Sequence, residues 1–527
     1  MTIHPTLILL MPETLLSITA VLALFFGRAS FGMGRDRAPW ISIFGLAAAA
    51  SVATWSHFNG SAAQGAGGVS CDALSYFVRM AVCCVGALAV LVNWHIPHDD
   101  ERPEYFCLML FALAGASLAA CADDLLLLFL SLELVSVPTY VLIALSRSKP
   151  ESQEATVKYF FLGAFAAAIT LYGFSFLYGV GGTTTLRGSG SGPSLAIALA
   201  AAPAGSLVGV GLLLSLCGLA FKVAAVPLHF YVADVYQGAA SPVSGLLGFL
   251  PKMAGFVAMI RLLDLTGWRI EGKLFWLLWV VAAATMLVGN TLALMQRDNV
   301  KRVLAYSSIA HSGYMLVALL AGPGNALVVA MESPLRNGVA ALLFYMVIYG
   351  VMNLGAFAAL AYFRSRAAEH EPIETFMELT EAARSRPWAA GCLAVCALGL
   401  MGLPPTAGMW GKLMLFTSAL SLPNGHPYGQ AMIYLVVLGV INAAIGAVYY
   451  LRIAAACVTG PLLPDAAAPT RCGRLRLGLI LCTLLVLIAF VRPGPLITQA
   501  HAAADEFRAR AAVAAGSVEH AGQQASR

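Results

Sequence analysis

Apolar runs long enough to cross a bilayer recur fourteen times along this chain, and that repetition constrains its fold more than any other feature. A helix needs about 20 apolar residues to span the hydrocarbon of a membrane. Such runs lie near 5–27, 38–58, 72–95, 104–121, 123–146, 153–179, 206–236, 240–266, 272–295, 300–321, 332–363, 386–420, 427–456 and 475–491. Hydrocarbon offers no partner to backbone N–H and C=O groups, so each run reads as a helix that pairs them internally. Charge usage agrees. Only 11% of the 527 residues are Asp, Glu, Lys or Arg, against about 25% in a soluble domain. Too few polar side chains remain to cover a globular surface in water, which excludes a soluble enzyme, a nucleic-acid binder and a disordered scaffold together. The first run lacks a basic leader and an Ala-x-Ala site, and it carries Pro5, Pro12 and Glu13. It reads as a retained span rather than a cleaved signal.

Basic residues orient the spans. With the N-terminus outside and strict alternation, 17 Lys and Arg fall in inner loops and 8 in outer segments. Cytoplasmic loops favour basic residues. The expectation is a multi-pass protein of a bacterial inner membrane with both termini on the periplasmic side. The Gly- and Ser-rich stretches 59–70 and 179–205 read as outer loops. GSGSGP at 188–193 is no nucleotide fingerprint, because no strand precedes it. The acidic stretch 364–386 reads as an inner loop with a short surface helix, and the Ala-rich tail from 499 as a frayed end or surface helix. Cys83, Cys84, Cys107, Cys217, Cys392, Cys396, Cys457 and Cys482 all lie in apolar runs. Without a Cys-x-x-Cys or a Cys/His cluster they read as small apolar residues, and no metal is expected.

Charges inside spans need a reason, since each costs several kcal/mol near the bilayer centre. Six basic residues lie there: Arg79, Lys158, Lys222, Lys252, Arg261 and Lys412. Glu133 is the clearest acid. Arg79 and Arg261 are close enough to span ends to snorkel or pair, which points to structural roles. Lys158, about one and a half turns from the inner end, is open to snorkelling or function. Glu133 and Lys252 sit near midplane, beyond the reach of water by stretching. Lys222 and Lys412 accompany helix breaks: Pro227 follows the first, and Pro404-Pro405 precede the second. Proline removes a backbone donor and clashes with the preceding turn. Inside a bilayer the freed carbonyls must meet protein or water.

The broken spans are the seventh and twelfth, five apart. The expected fold is therefore all-α integral membrane, about fourteen transmembrane helices with two inverted five-helix repeats. The expected parts are 1–103 (three N-terminal helices), 104–266 (first repeat), 272–456 (second repeat) and 457–527 (last helix and tail). Transporters place their sites at such repeat interfaces. One Glu and three Lys there can each hold or release a proton, and neighbouring groups of this kind titrate together. His229 and His311, the latter with Tyr306, Ser307, Ser308 and Ser312, can bridge them. The spacing His229-x4-Asp234 also fits glycerolipid acyltransferases, but it lies in a broken transmembrane helix and is set aside.

At these residues the chain resembles the antiporter-like membrane subunits of NADH-quinone oxidoreductase (respiratory complex I), relatives of Mrp-type cation/proton antiporters. The segments that carry the resemblance are FLSLELVSVPTYVLIAL (129–145), AFKVAAVPLHFYVADVYQGAASPVSGLLGFLPKMAGF (220–256), RDNVKRVLAYSSIAHSGYMLVAL (297–319) and LGLMGLPPTAGMWGKLMLF (398–416). DVYQGAASPVS, ELVSVPTYVLIAL and EATVKYFFLGAF (154–165) are most similar to the N-type branch. The resemblance implies a proton-translocating subunit with no redox chemistry of its own. Glu133 would be the acid partner of Lys222, the switching carrier of a first half-channel. Lys252 with His311 would link the halves, Lys412 would be the terminal carrier, and Lys158 an accessory near the inner side. FMN, iron–sulfur clusters and quinone would belong to other subunits, with no cofactor bound here. Partners would be neighbouring antiporter-like subunits, the lateral helix of subunit L, and lipid. The alternative is an Mrp-type antiporter subunit. Where the family usually has Trp-x-Pro-Asp, this chain has Tyr231-Val-Ala-Asp234, so the local geometry at that break is open.

Overall fold

A computed structural model describes residues 5–28, 36–59, 65–96, 101–146, 149–187, 193–202, 207–268, 270, 272–323, 336–363, 373–422, 426–459 and 472–507. The helices in chain order are α1 (Pro5–Leu9), α2 (Met11–Arg28), α3 (Arg37–Phe58), α4 (Ala73–Asn93), α5 (Arg102–Cys121), α6 (Leu125–Ser146) and α7 (Pro150–Gly181). Then come α8 (Leu195–Ala201), α9 (Val208–Lys222), α10 (Val232–Gly238), α11 (Ser241–Leu265), α12 (Gly272–Met295) and α13 (Val300–Ala321). The series closes with α14 (Gly338–Tyr362), α15 (Phe376–Arg384), α16 (Pro387–Met401), α17 (Ala407–Leu420), α18 (Gly429–Ala456), α19 (Gly473–Val491) and α20, over 494–507. A two-residue hairpin, β1 (Gly65–Ala66) with β2 (Val69–Ser70), is the one sheet among the described residues.

Among the described residues, twelve helices are long and apolar enough to cross a membrane. Two further crossings are each made of two short helices in series, α9 with α10 and α16 with α17. That gives the fourteen crossings expected, with the seventh and twelfth broken. The bundle is layered by what surrounds each helix. Every residue of α11 is buried, and α13 and α14 are nearly so, whereas α2, α12, α18 and α19 bury about a third of their apolar length. Helices apolar all round are covered by protein at the centre and by lipid at the rim. Without water to drive them together, such helices associate through close packing. Gly218 shows this: a Cβ there would stand 2.0 Å from Thr170 Oγ1, so α9 approaches α7 only through a glycine.

The loops that basic-residue counting groups together do meet at one end. Asp36 accepts hydrogen bonds from Trp94 Nε1 at 2.9 Å and Arg102 at 3.3 Å, and pairs with Arg474 at 3.0 Å. Arg452 reaches the Gln296 and Arg297 carbonyls, and Arg384 the Val458 carbonyl. At the other end Arg261 pairs with Asp72, Arg187 with Asp264, and Thr184 with Asp124. Arg79 and Arg261 hold the structural pairs anticipated for them, Arg79 with Glu13.

The surface helix expected in 364–386 is α15, started by a capping box between Thr375 and Glu378. The tail is helical over 494–507, with Ala500, Ala503, Ala504 and Phe507 buried. Arg35, Arg147, Arg269, Arg364, Arg366, Arg471, Glu369, Glu371, 188–192 of the GSGSGP stretch and the tail beyond 507 lie outside the described residues.

Candidate functional site

The first break begins at Lys222, the last residue of α9. Its freed carbonyls find partners nearby. Ala225 N donates to the Ala220 carbonyl at 2.8 Å and Ala224 N to the Phe221 carbonyl at 2.9 Å. The Tyr231 hydroxyl donates to that same Phe221 carbonyl at 2.9 Å, and Val226 N donates to Thr285 Oγ1 at 3.0 Å. Tyr231 also stacks on Tyr159, centroids 5.1 Å apart. The tyrosine that departs from the family pattern thus closes the break with its own hydroxyl. Ending the helix here aims Lys222 at α6. Its Nζ lies 3.1 Å from Glu133 Oε1, 2.6 Å from Ser136 Oγ and 3.4 Å from the Leu132 carbonyl. The Lys222 side chain is 6% exposed and that of Glu133 25%.

Lys222 and Lys252 line one cavity with Tyr159, Tyr231, Tyr236 and Pro251. It is small, with room for on the order of one water. Pro251 lies inside α11 and cannot donate to the Leu247 carbonyl one turn back, and Leu247 lines the same cavity. Lys252 Nζ donates to the Ser308 carbonyl and, at 2.6 Å, to Ser308 Oγ. The Tyr236 hydroxyl meets Ser308 Oγ from the other side at 3.3 Å.

From Ser308 the polar row continues one helical turn along α13. Lys252 Nζ stands 5.3 Å from the centre of the Tyr349 ring, which packs on His311 at 4.9 Å. His311 is wholly enclosed. Its Nδ1 meets the Tyr345 hydroxyl at 2.5 Å and its Nε2 the Tyr450 hydroxyl at 2.7 Å. Tyr314 then packs on His311 at 5.7 Å and lies under Lys412, whose Nζ is 5.2 Å from its ring centre. The Tyr314 hydroxyl accepts from Asn290 Nδ2 at 3.0 Å.

The second break holds Lys412 differently. α16 ends at Met401, and Gly402 takes φ of +89°, donating its N–H to the Leu398 and Gly399 carbonyls. Lys412 Nζ donates to the Met401 carbonyl at 2.8 Å. A Cβ on Gly402 would stand 2.7 Å from Lys412 Cδ. Glycine therefore serves twice there, through its positive φ and through the space it leaves for the lysine.

Glu133, Lys222, Lys252, His311 and Lys412 thus fall in one row. Lys158 lies apart, nearer the basic end, about two-fifths exposed and paired with Glu154 at 2.6 Å and Asp234 at 2.9 Å. Asp234 also pairs with Arg302. His229 is half-buried beside exposed Phe230 and makes none of the row's contacts. Of the hydroxyls expected around His311, Ser308 joins the row and half-buried Tyr306 does not. The sequence reading missed Tyr236, Tyr314, Tyr345, Tyr349 and Tyr450. Their signal was present as i,i+4 tyrosines at 345 and 349 and a Tyr449-Tyr450 pair, each inside a largely apolar span.

Residues 122–446 match the family profile described as NADH:quinone oxidoreductase/Mrp antiporter, TM. The chain belongs to this family. It is 35% identical to NADH-quinone oxidoreductase subunit N 1 of Solibacter usitatus, an alignment covering 84% of this chain and 85% of that one. Its fold is similar to a chain of respiratory complex I from Thermus thermophilus with bound aureothin, with TM-score 0.71 and 29% identity, covering 92% of this chain and 98% of that one. It is also similar in fold to a chain of the Mrp complex from Dietzia sp. DQ12-45-1b, with TM-score 0.75 and 21% identity over 95% and 99% of the two chains. The family profile spans every member of the polar row except Tyr450.

Proposed function

We propose that this chain is the N-type membrane subunit of an NADH-quinone oxidoreductase. In this reading it moves protons from the inner to the outer side of a bacterial inner membrane, driven by electron transfer from NADH to quinone in other subunits. The observation that carries the reading is the buried row from Glu133 to Lys412, in which charged, imidazole and hydroxyl groups succeed one another between two broken helices. Nothing in an inert bundle calls for three buried lysines, each of which costs several kcal/mol to enclose.

Residues 104–266 and 272–456 are then two inverted repeats, each supplying one broken helix. Glu133 partners Lys222, and Lys222 is the switching carrier. Lys252 and His311 join the halves, and Lys412 is the terminal carrier. Lys158, held by Asp234, modulates uptake at the inner side. Glu133 is the one charged member of the row that reaches this chain's own surface, so a charge on a neighbouring subunit can pull on it. That supplies energetic coupling, since a change at one site counts only if it alters the free energy of the next. FMN, iron–sulfur clusters and quinone sit in other subunits. The partners are neighbouring antiporter-like subunits and the lateral helix of subunit L, and both termini face the periplasm. NADH-driven proton uptake and electron transfer in inside-out membrane vesicles carrying Lys222→Ala or Glu133→Ala test this. Unchanged pumping and electron transfer in both variants would sink the relay.

The likeness to the Dietzia Mrp complex favours a second reading, a cation/proton antiporter subunit with the same row and no electron-transfer partner. Purification separates the two. Recovery with NADH dehydrogenase subunits supports the first reading, and recovery with small antiporter subunits supports the second.

A further inference from the structure

Away from the proton row, a second group of buried reactive side chains gathers around Glu13 and Arg79. The Glu13 carboxylate accepts from Arg79 Nε and Nη2, both at 2.8 Å, and from Ser117 Oγ at 2.5 Å. Arg79 also donates to the Leu9 carbonyl at 2.8 Å and to Cys71 Sγ at 3.3 Å. Cys121 Sγ lies 3.6 Å from Glu13 Oε1. Two thiols from distant parts of the chain therefore rest against one ion pair, and both belong to one small buried cluster with Leu9 and Val69.

The backbone fixes this meeting from both sides. Val69 and Ala122 pair as an antiparallel bridge. Beyond it, one nitrogen of Arg261 bonds both Asp72 Oδ1 and the Ala120 carbonyl. Residues 69 and 72 bracket Cys71, and residues 120 and 122 bracket Cys121. The bridge and the shared Arg261 nitrogen hold the stretch 69–72 against the end of α5, where Cys121 is the last helical residue. A disulfide requires such neighbouring backbones, with Cα atoms within about 7 Å. Cys71 precedes α4 in the chain. Two thiols held side by side are the arrangement that thiol–disulfide exchange closes.

We propose that Cys71 and Cys121, both free thiols in this structure, form a disulfide that staples the junction of β2 and α4 to the end of α5. The proposal rests on the reading that this end of the bundle faces the periplasm, where disulfides form and persist. The oxidant is a periplasmic protein disulfide. Cys71 gives up its proton and attacks one of its sulfurs, forming a mixed disulfide and releasing the other sulfur, which takes up a proton. Cys121 then gives up its proton and attacks Cys71 Sγ, expelling the oxidant's second sulfur. Two S–H bonds break, one S–S bond forms, and two electrons and two protons leave with the oxidant as its dithiol. Both cysteines are buried once folded, so the exchange occurs while the chain inserts, before β2 closes over α5. The bond then locks one wall of the Glu13–Arg79 pair, which α2, α4 and α5 share.

Mass spectrometry of the intact complex tests this. Complex from wild-type cells is denatured in N-ethylmaleimide without reductant, digested and analysed. The expected result is a linked Cys71–Cys121 peptide pair that takes the maleimide only after reduction. The link is lost in Cys71→Ser, and both thiols are labelled in cells lacking the periplasmic thiol oxidase. Both cysteines labelled without reduction in wild type overturns the proposal. Alkaline phosphatase fused to the C-terminus then tells which premise failed. An active fusion with free thiols removes the disulfide alone, and an inactive one removes the periplasmic orientation with it.

Discussion

In the first half of the bundle Lys222 closes α9 and points at a carboxylate on another helix, Glu133, 3.1 Å away. In the second half Lys412, the sixth residue of α17, turns back to the Met401 carbonyl at the end of α16, 2.8 Å away. Among the described residues no carboxylate comes within ion-pair distance of Lys412. A carboxylate brings a full charge that can be drawn off by whatever approaches its exposed edge. A carbonyl is a fixed dipole built into the break, and the Tyr314 ring below adds only its quadrupole. In the proposed relay this difference gives the halves different tasks, the first responding to a neighbour and the second holding its lysine in an enclosed seat.

The largest effect should come from the seat itself. Lys412→Ala is expected to cut NADH-driven pumping to under about a tenth of wild type, since a positioned proton carrier is worth at least that much in rate. Pumping indifferent to Lys412→Ala would mean the second half is scaffold. The next largest effect separates the halves by stability. Lys222→Met strands Glu133 without its cation and should destabilise the complex by about 3 kcal/mol. Lys412→Met leaves no charge behind and should be neutral or stabilising in thermal unfolding. Equal losses from the two would erase the distinction.

Gly402→Ala addresses the second seat through sterics. Adding a Cβ against the Lys412 side chain at positive φ should cost about 1–3 kcal/mol, read as poorer assembly on native gels. The smallest effect belongs to the first break. Tyr231→Phe removes one hydroxyl from the Phe221 carbonyl and should cost about 1 kcal/mol, with pumping near wild type. A large pumping loss from Tyr231→Phe would place that hydroxyl in the proton path instead of at the helix end.

Much of the fold was legible because lipid imposes a simple rule. The seventh and twelfth breaks followed from Pro227 and Pro404-Pro405, and both stand where expected. Glu133 and the three midspan lysines stood out because charges are rare in such a chain. The tyrosines were not legible as members of the row. Tyr345 looks like any aromatic residue in an apolar span, and only packing against His311 gives its hydroxyl a role. His229 shows the converse. Its type and its place beside Lys222 suggested membership, but in the turn after Pro227 it packs beside Phe230 and makes none of the row's contacts. Cys71 and Cys121 lie fifty positions apart and carry no motif, so only the meeting of β2 with the end of α5 shows them as a pair.

The sequence by itself determined how many times the chain crosses the membrane, where two crossings break, and that Glu133, Lys222, Lys252 and Lys412 fall within spans. Those properties depend on local hydropathy and on proline geometry, which the order of residues states directly. Tertiary structure alone decided who partners whom: Lys222 with Glu133, Lys252 with Ser308, Lys412 with the Met401 carbonyl, and a set of tyrosines between them. Partnership depends on which face each helix turns to its neighbours. In helices apolar on every side, no amphipathic pattern records that choice.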